Sequence, residues 1–279
     1  MDDNGLSIST RDFRFLASLV YERSRIVLKP EKRNMLAGRL TRRIRALGLS
    51  GFADYCALVA SPKGSDEIGE MINAVTTNLT SFFREPHHFE HLAQVSLPAV
   101  TEALKAQGTN RLRLWSAGCS SGQEPYSMAM TIAAKLPSLS RWNARILATD
   151  LDTAIVARAE AGHYSEEQAT GIPKHCARQF TRRNADGSVD MGQALRDLIT
   201  FKPLNLMDEW PMKGPFDIIF CRNVAIYFDS PTQAELFDRL ADIMAPHGWL
   251  YIGHSESLFA VTDRFELVGK TTYRKRSAP

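Results

Sequence analysis

The sequence predicts an α/β protein in which a doubly wound, mostly parallel sheet follows an all-helical domain and carries a small β insertion. Three observations predict it. The first 85 or so residues show apolar stripes at helical spacing and no strand pattern, whereas from residue 111 short apolar runs alternate with helical patterns. Between residues 161 and 203 that alternation breaks at Gly162, Gly171, Pro173 and a turn signal.

In the helical region, Ser9 and Thr10 are capping candidates ahead of a stripe made by Phe13, Leu16, Leu19 and Val20. Leu36, Leu40, Ile44 and Leu47 form a second stripe ending at Gly48, and two shorter helices are expected over residues 52–60 and 65–75. Buried parallel strands are expected at 112–115, 145–149, 216–221 and 249–253, with a closing antiparallel hairpin over 265–273. The interrupted stretch carries Asn184-Ala-Asp-Gly187, a hairpin turn signal, so it reads as an inserted β-subdomain. The expected organisation is a helical domain and linker over 1–88 and a sheet domain over 89–279, with the insertion at about 161–203.

At 279 residues and 44% apolar composition the chain can fill a sizeable core. It contains no charged-then-apolar leader pattern and no uncharged apolar run near the roughly 20 residues that cross a bilayer, which predicts a cytoplasmic protein without membrane insertion. Cys56, Cys119, Cys176 and Cys221 are widely spaced, so neither a zinc site nor a disulfide framework is expected. His87, His88 and His91 share a helix face without a matching Cys or carboxylate pattern and read as surface histidines, with no metal expected. Net charge is +3, yet between residues 11 and 45 there are 11 Lys/Arg against Asp12, Glu22 and Glu31, a local +8. That asymmetry marks a docking surface for something acidic.

The strongest chemical signal is residues 112–126, a strand running into a Gly-rich turn and then a helix starting near Glu124 or Pro125. Gly118 and Gly122 would let backbone N–H groups approach a nucleotide-like ligand. The G-x-x-x-G spacing is not the dinucleotide fingerprint, and without Gly-Lys-Ser/Thr it is not a phosphate loop. An acidic residue at the helix start, Glu124, opposes a pyrophosphate but suits the cationic amino group of a methionine moiety, which favours S-adenosylmethionine over NAD.

Asp150 ends the next strand, where a carboxylate can take both hydroxyls of a ribose; Asp152 is a helix-cap candidate. Residues 216–229 form a buried strand ending in Arg222 and Asn223, with Tyr227 beyond. Residues 75–85 join the two domains and offer Thr76, Thr77, Asn78, Thr80 and Ser81 beside Phe82 and Phe83.

Taken together, Thr76-Thr-Asn-Leu-Thr-Ser-Phe-Phe-Arg-Glu85, Ser116-Ala-Gly-Cys-Ser-Ser-Gly-Gln-Glu-Pro-Tyr-Ser127, Ala148-Thr-Asp-Leu-Asp152, Asn205-Leu206, Cys221-Arg-Asn-Val-Ala-Ile-Tyr-Phe-Asp229 and Gly253-His-Ser-Glu-Ser257 resemble the chemotaxis receptor methyltransferase (CheR) family over nearly the whole chain. The resemblance implies a Rossmann-like class I methyltransferase sheet, an N-terminal helical domain, an inserted β-subdomain and methylation of glutamate side chains on bacterial chemoreceptors. By motif position it implies that Asn78, Thr80, Arg84, Glu124, Asp150, Asn205, Leu206, Arg222 and Asn223 contact S-adenosylmethionine, with Arg84 and Tyr227 nearest the transfer. Two departures stand out. Gln123 replaces an acidic residue common in the family, with little consequence expected since Glu124 is retained. The short turn at 184–187 lacks the longer Gly-rich loop associated with gripping a receptor tail peptide, so tail tethering is not expected.

A glutamate nucleophile is ionised at neutral pH, the ordinary glutamate pKa being about 4.3, so no general base is needed and none is apparent. On a helix starting near Pro30, Lys32, Arg39, Arg42 and Arg43 fall on one arc and could dock an acidic receptor helix. An NAD-dependent oxidoreductase lacks its fingerprint here, and a nucleic-acid amino-methyltransferase lacks the Asn/Asp-Pro-Pro-aromatic signature. A non-catalytic cofactor-binding regulator would not need Arg84 and Tyr227.

Overall fold

Ser9 starts the first helix by accepting the Asp12 N–H at 3.0 Å, and Arg25, at a φ of 58°, ends it by donating to the Tyr21 carbonyl. This helix, α1 (Thr10–Ser24), is followed by α2 (Arg33–Ala46), α3 (Phe52–Val59) and α4 (Ser65–Val75). A computed structural model describes residues 6–136 and 138–276 and divides the chain into two units: Met1–Thr77 with Tyr227–Asp229, and Asn78–Ile226 with Ser230–Pro279. The first unit has its own core, in which Leu16, Val20, Leu36, Leu40, Ile44, Tyr55 and Met71 are fully buried. The two expected stripes are therefore its inner faces. Leu47 departs from its stripe and is exposed, because α2 ends at Ala46.

In the second unit, α5 (Pro86–His91), a π turn (Leu92–Ser96) and α6 (Leu97–Ala106) precede β1 (Arg111–Ala117), α7 (Gln123–Lys135), β2 (Asn143–Asp150) and α8 (Thr153–Ala161). The insertion contributes β3 (His163–Tyr164), α9 (Lys174–Phe180), β4 (Thr181–Arg183) and β5 (Val189–Met191), whose strands pair as an antiparallel sheet ordered β3-β5-β4. After α10 (Gln193–Arg196) come β6 (Ile199–Pro203), β7 (Phe216–Phe220), α11 (Ser230–Ile243), β8 (Met244–Tyr251) and the hairpin β9 (Phe265–Gly269) and β10 (Thr272–Lys275).

The main sheet has seven strands in the order β6-β2-β1-β7-β8-β10-β9, parallel except for β10. Strand order reverses beside β1, which pairs with β2 on one side and β7 on the other. In such sheets the crevice at the carboxyl ends of the strands on either side of the reversal receives the ligand. Every residue of β7 is buried, and its carboxylate, Asp217, is satisfied by the Arg113 N–H at 2.8 Å.

Two expectations change. Residues 199–203, expected inside the insertion, form β6 of the main sheet, in parallel register with β2. Ile199 and Phe201 are buried and Thr200, Lys202 and Pro203 exposed, so this edge strand lacks the apolar run of a central one. His88, expected on the surface, is completely buried: its Nε2 lies 3.1 Å from the Lys270 carbonyl and 3.0 Å from the Thr271 hydroxyl. Among the described residues no helix is long and apolar enough to cross a membrane.

Candidate active site

The turn after β1 is held by the neighbouring strand: the N–H groups of Gly118 and Cys119 both donate to the Thr149 carbonyl at 2.8 Å. Helix α7 starts from Gly122, whose φ is 92°. The protein's own packing also requires glycine at both positions. A Cβ on Gly118 would meet Val224 Cγ2 at 2.3 Å, and one on Gly122 would meet the Tyr164 hydroxyl at 2.8 Å. Their positive φ values, 83° and 92°, further restrict the positions to glycine.

Glu124, in the first turn of α7, is buried at 8% exposure. One carboxylate oxygen accepts the Ser116 hydroxyl at 2.8 Å and the other accepts Arg222 Nη1 at 3.0 Å. Burial pushes its pKa up, and Arg222 and Ser116 only partly offset that. Arg222, just past β7, also lies 3.3 Å from the Glu85 carboxylate and donates to the Arg84 carbonyl at 2.5 Å. Burial raises the Glu85 pKa less than its hydrogen bond with His254 and the charge of Arg222 lower it, leaving it down at about 2.

At the end of β2 the Asp150 carboxylate accepts the Ser120 N–H at 2.8 Å and the Asp152 N–H at 3.0 Å. Asp152, not Asp150, caps α8, accepting the Ala154 and Ile155 N–H groups at 3.0 Å. The linker residue Asn78 lies against the same turn. Its side chain donates to Asp152 at 2.9 Å, and its carbonyl accepts the Ser120 hydroxyl at 3.1 Å. Thr80 is half-buried nearby in sequence, and Arg84 donates to the Leu79 carbonyl at 2.9 Å. Beyond β6, Asn205 makes an Asx turn with the Met207 N–H at 3.1 Å, and buried Leu206 offers its carbonyl to Trp210 and Arg239. Asn223 takes a φ of 59° directly after Arg222.

The structure thus brings Asn78, Glu124, Asp150 and Arg222 to the carboxyl ends of β1, β2 and β7. Tyr227 ends the short turn Ala225–Tyr227 and belongs to the helical unit, its carbonyl accepting the Val27 N–H at 2.9 Å. Of the four basic residues expected on one face, only Lys32 and Arg42 are exposed. Arg39 donates to the Val75 and Thr76 carbonyls at 2.6 Å, and Arg43 pairs with Glu67 and Glu70. Arg39, Arg42, Arg43 and Arg45 nevertheless line one open groove with Asn34 and Met35.

Sequence reasoning missed Glu85. It supplies the carboxylate that the histidines lacked, bringing Glu85, His87 and His88 ligand atoms within 4.8 Å of one another. Arg222 already matches the Glu85 charge, so a cation there would face a guanidinium.

The donor set fits S-adenosylmethionine. A buried carboxylate, Glu124, is placed for an ammonium group, and Asp150 keeps acceptor capacity for ribose hydroxyls beyond its two N–H donors. Sheet order and donor set together define the class of S-adenosylmethionine-dependent methyltransferases. Residues 78–274 match the family described as "CheR methyltransferase, SAM binding domain", and residues 11–76 match its all-alpha domain. A "Probable chemotaxis protein methyltransferase" of Rhizobium etli is 44% identical, covering 92% of this chain and 96% of the relative. The "Chemotaxis protein methyltransferase" of Escherichia coli is 42% identical, covering 96% of this chain and 92% of the relative. The chain belongs to the CheR methyltransferase family.

Proposed function

We propose that this enzyme methylates the γ-carboxylates of glutamate side chains on chemoreceptors, as the names and family of its relatives suggest. The observation that carries the reading is the buried Glu124 carboxylate, fixed by Ser116 and Arg222 where the methionine end of the cofactor would lie. S-adenosylmethionine supplies an electrophilic methyl group on a sulfonium sulfur. In the transfer, a carbon–oxygen bond forms to the glutamate carboxylate as the carbon–sulfur bond breaks, giving a methyl ester and S-adenosylhomocysteine. The positive and negative charges cancel, so a water-poor site favours the step and no proton has to move.

In this reading Glu124 receives the cofactor ammonium, Asp150 the ribose, and Asn78, Thr80, Asn205, Leu206 and Asn223 complete the contacts. The Arg222 guanidinium is engaged by Glu124, Glu85 and the Arg84 carbonyl, so its side chain orients Glu124. Arg84 and Tyr227 hold the attacking carboxylate in line, where positioning can supply on the order of 7–11 kcal/mol. On the helical unit, exposed Lys32 and Arg42 and the arginine-lined groove give α2 and the turn before it the charge to meet an acidic receptor helix.

Transfer of label from S-adenosylmethionine to receptor-rich membranes, followed by mild alkali, tests the reading. Label released as methanol establishes a carboxyl methyl ester. Cofactor binding with no base-labile label on receptors would overturn it.

A further inference from the structure

The Gly253-His-Ser-Glu-Ser257 motif contributes none of the residues assigned to cofactor or transfer, yet its loop touches two of the segments that do. It follows β8 at the carboxyl edge of the sheet. Glu256 is buried at 8% exposure and turns its carboxylate back onto the end of β7, accepting the N–H groups of Asn223 at 2.9 Å, Val224 at 3.0 Å and Ile226 at 3.3 Å. It also accepts the N–H of Gly253 in its own turn.

Asn223 sits in the left-handed region, which side-chain-bearing residues seldom adopt and which its surroundings must hold. Gly253 presses against it: a Cβ there would lie 2.4 Å from Asn223 Nδ2 and 2.9 Å from its backbone nitrogen. The next residue in the loop, His254, places Nδ1 2.9 Å from the Glu85 carboxylate, which in turn lies 3.3 Å from Arg222.

We propose that Glu256 is a positioning residue for the cofactor site, gathering the backbone N–H groups after β7 so that Asn223 is held in its left-handed conformation against Gly253. A carboxylate suits this task because it presents acceptors only, whereas an amide at the same place would turn N–H toward N–H. The inference rests on the reading of Asn223 as a cofactor contact.

The test measures S-adenosylhomocysteine binding by calorimetry for the full chain and for Glu256→Gln, Glu256→Asp, Gly253→Ala and Asn223→Ala, with Tm recorded for each. Glu256→Gln is expected to weaken binding about tenfold or more, because unsatisfied N–H groups would let Asn223 leave its conformation. Glu256→Asp, which keeps the charge on a shorter arm, should recover part of the affinity. Gly253→Ala should weaken binding similarly with Glu256 intact, and the Glu256→Gln/Gly253→Ala double variant should be little worse than the weaker single variant, since both act on Asn223. A merely structural role would lower Tm and leave affinity below the transition unchanged.

Wild-type affinity in both Glu256→Gln and Gly253→Ala overturns the proposal. With Asn223→Ala weakened, that result leaves the reading of the site standing. Wild-type affinity in Asn223→Ala withdraws Asn223 as a contact and overturns the action of Glu256 through it. Should Glu256→Gln fail to fold, Gly253→Ala decides alone by the same criterion.

Discussion

Arg222 Nη1 donates to the Glu124 carboxylate at 3.0 Å inside the second unit, where both side chains are nearly excluded from solvent. One buried cation therefore neutralises the acid that, in the proposed reading, receives the cofactor ammonium. Glu124→Gln should weaken S-adenosylhomocysteine binding about tenfold to a hundredfold, the value of a charge-assisted hydrogen bond, with little change in Tm. Arg222→Ala should behave differently, leaving Glu124 and Glu85 uncompensated at a cost of roughly 3–5 kcal/mol. Calorimetric affinity and thermal unfolding separate the two effects.

Arg84 is half-buried, and its guanidinium donates to the carbonyl of Leu79, five residues back in its own segment. Arg84→Ala is expected to lower kcat/KM by about a hundredfold or more while Tm barely moves, since misplaced reactants lose the benefit of alignment. Initial rates with receptor membranes decide it; a variant with normal turnover removes Arg84 from the transfer step.

Acid should unfold this protein from a relatively high pH. Burial, with Arg222 and His87 adding to it, lowers the His88 pKa to about 3 from an ordinary value near 6.5. Between those values the unfolded chain binds the proton and the folded one does not, so stability falls as pH drops below about 6.5. Glu85 adds a second loss as pH falls below its ordinary value of 4.5 toward about 2. Denaturant midpoints measured from pH 7 to pH 4 should decline steadily, and His88→Leu should decline less steeply even if less stable at pH 7.

The basic face of α2 divides into residues that hold the fold and residues that face outward. Charge reversal at Lys32 and Arg42 should raise KM for receptor, leave kcat unchanged and weaken the dependence of KM on salt. Arg43→Ala should instead lower Tm, because Glu67 is buried and depends on Arg43 and the Tyr55 hydroxyl, the latter at 2.8 Å. Steady-state kinetics at two ionic strengths, beside a melting curve, distinguishes docking from folding.

Gly118→Ala should be destabilising by at least 1–3 kcal/mol, combining a strained φ with a collision at Val224. Chemical denaturation measures it directly. Val224→Ala in the same chain should restore part of the loss.

Much of this was legible in the sequence because local physics announces it. Ser9 caps a helix, Leu36, Leu40 and Ile44 of the second stripe lie inward while Leu47 does not, and β7, apolar apart from Asp217, is buried along its whole length. Glu124 was legible as an acid at a helix start and Asp150 as one at the end of a strand. What escaped depended on distant partners. Nothing near Glu256 tells that its carboxylate serves the backbone 30 to 33 residues away, and nothing near His88 tells that it is buried against residues 270 and 271. Strand β6 escaped because an edge strand alternates like any hairpin. Arg39 and Arg43 looked like surface charge because the carbonyls and carboxylates they serve belong to other segments of the helical unit.

The neck of the insertion has its own consequence. The Met191 N–H donates to the Gly162 carbonyl at 2.9 Å, so the chain leaves and re-enters the main fold at adjoining points. Yet Tyr164, Cys176 and Val189, which lie between those points, belong to the same buried core as Leu114 of β1 and Tyr126 of α7. The insertion is thus a brace as well as a branch: the Tyr164 hydroxyl donates to the Ser121 carbonyl at 2.7 Å, tying the three-stranded sheet to the turn from which α7 starts.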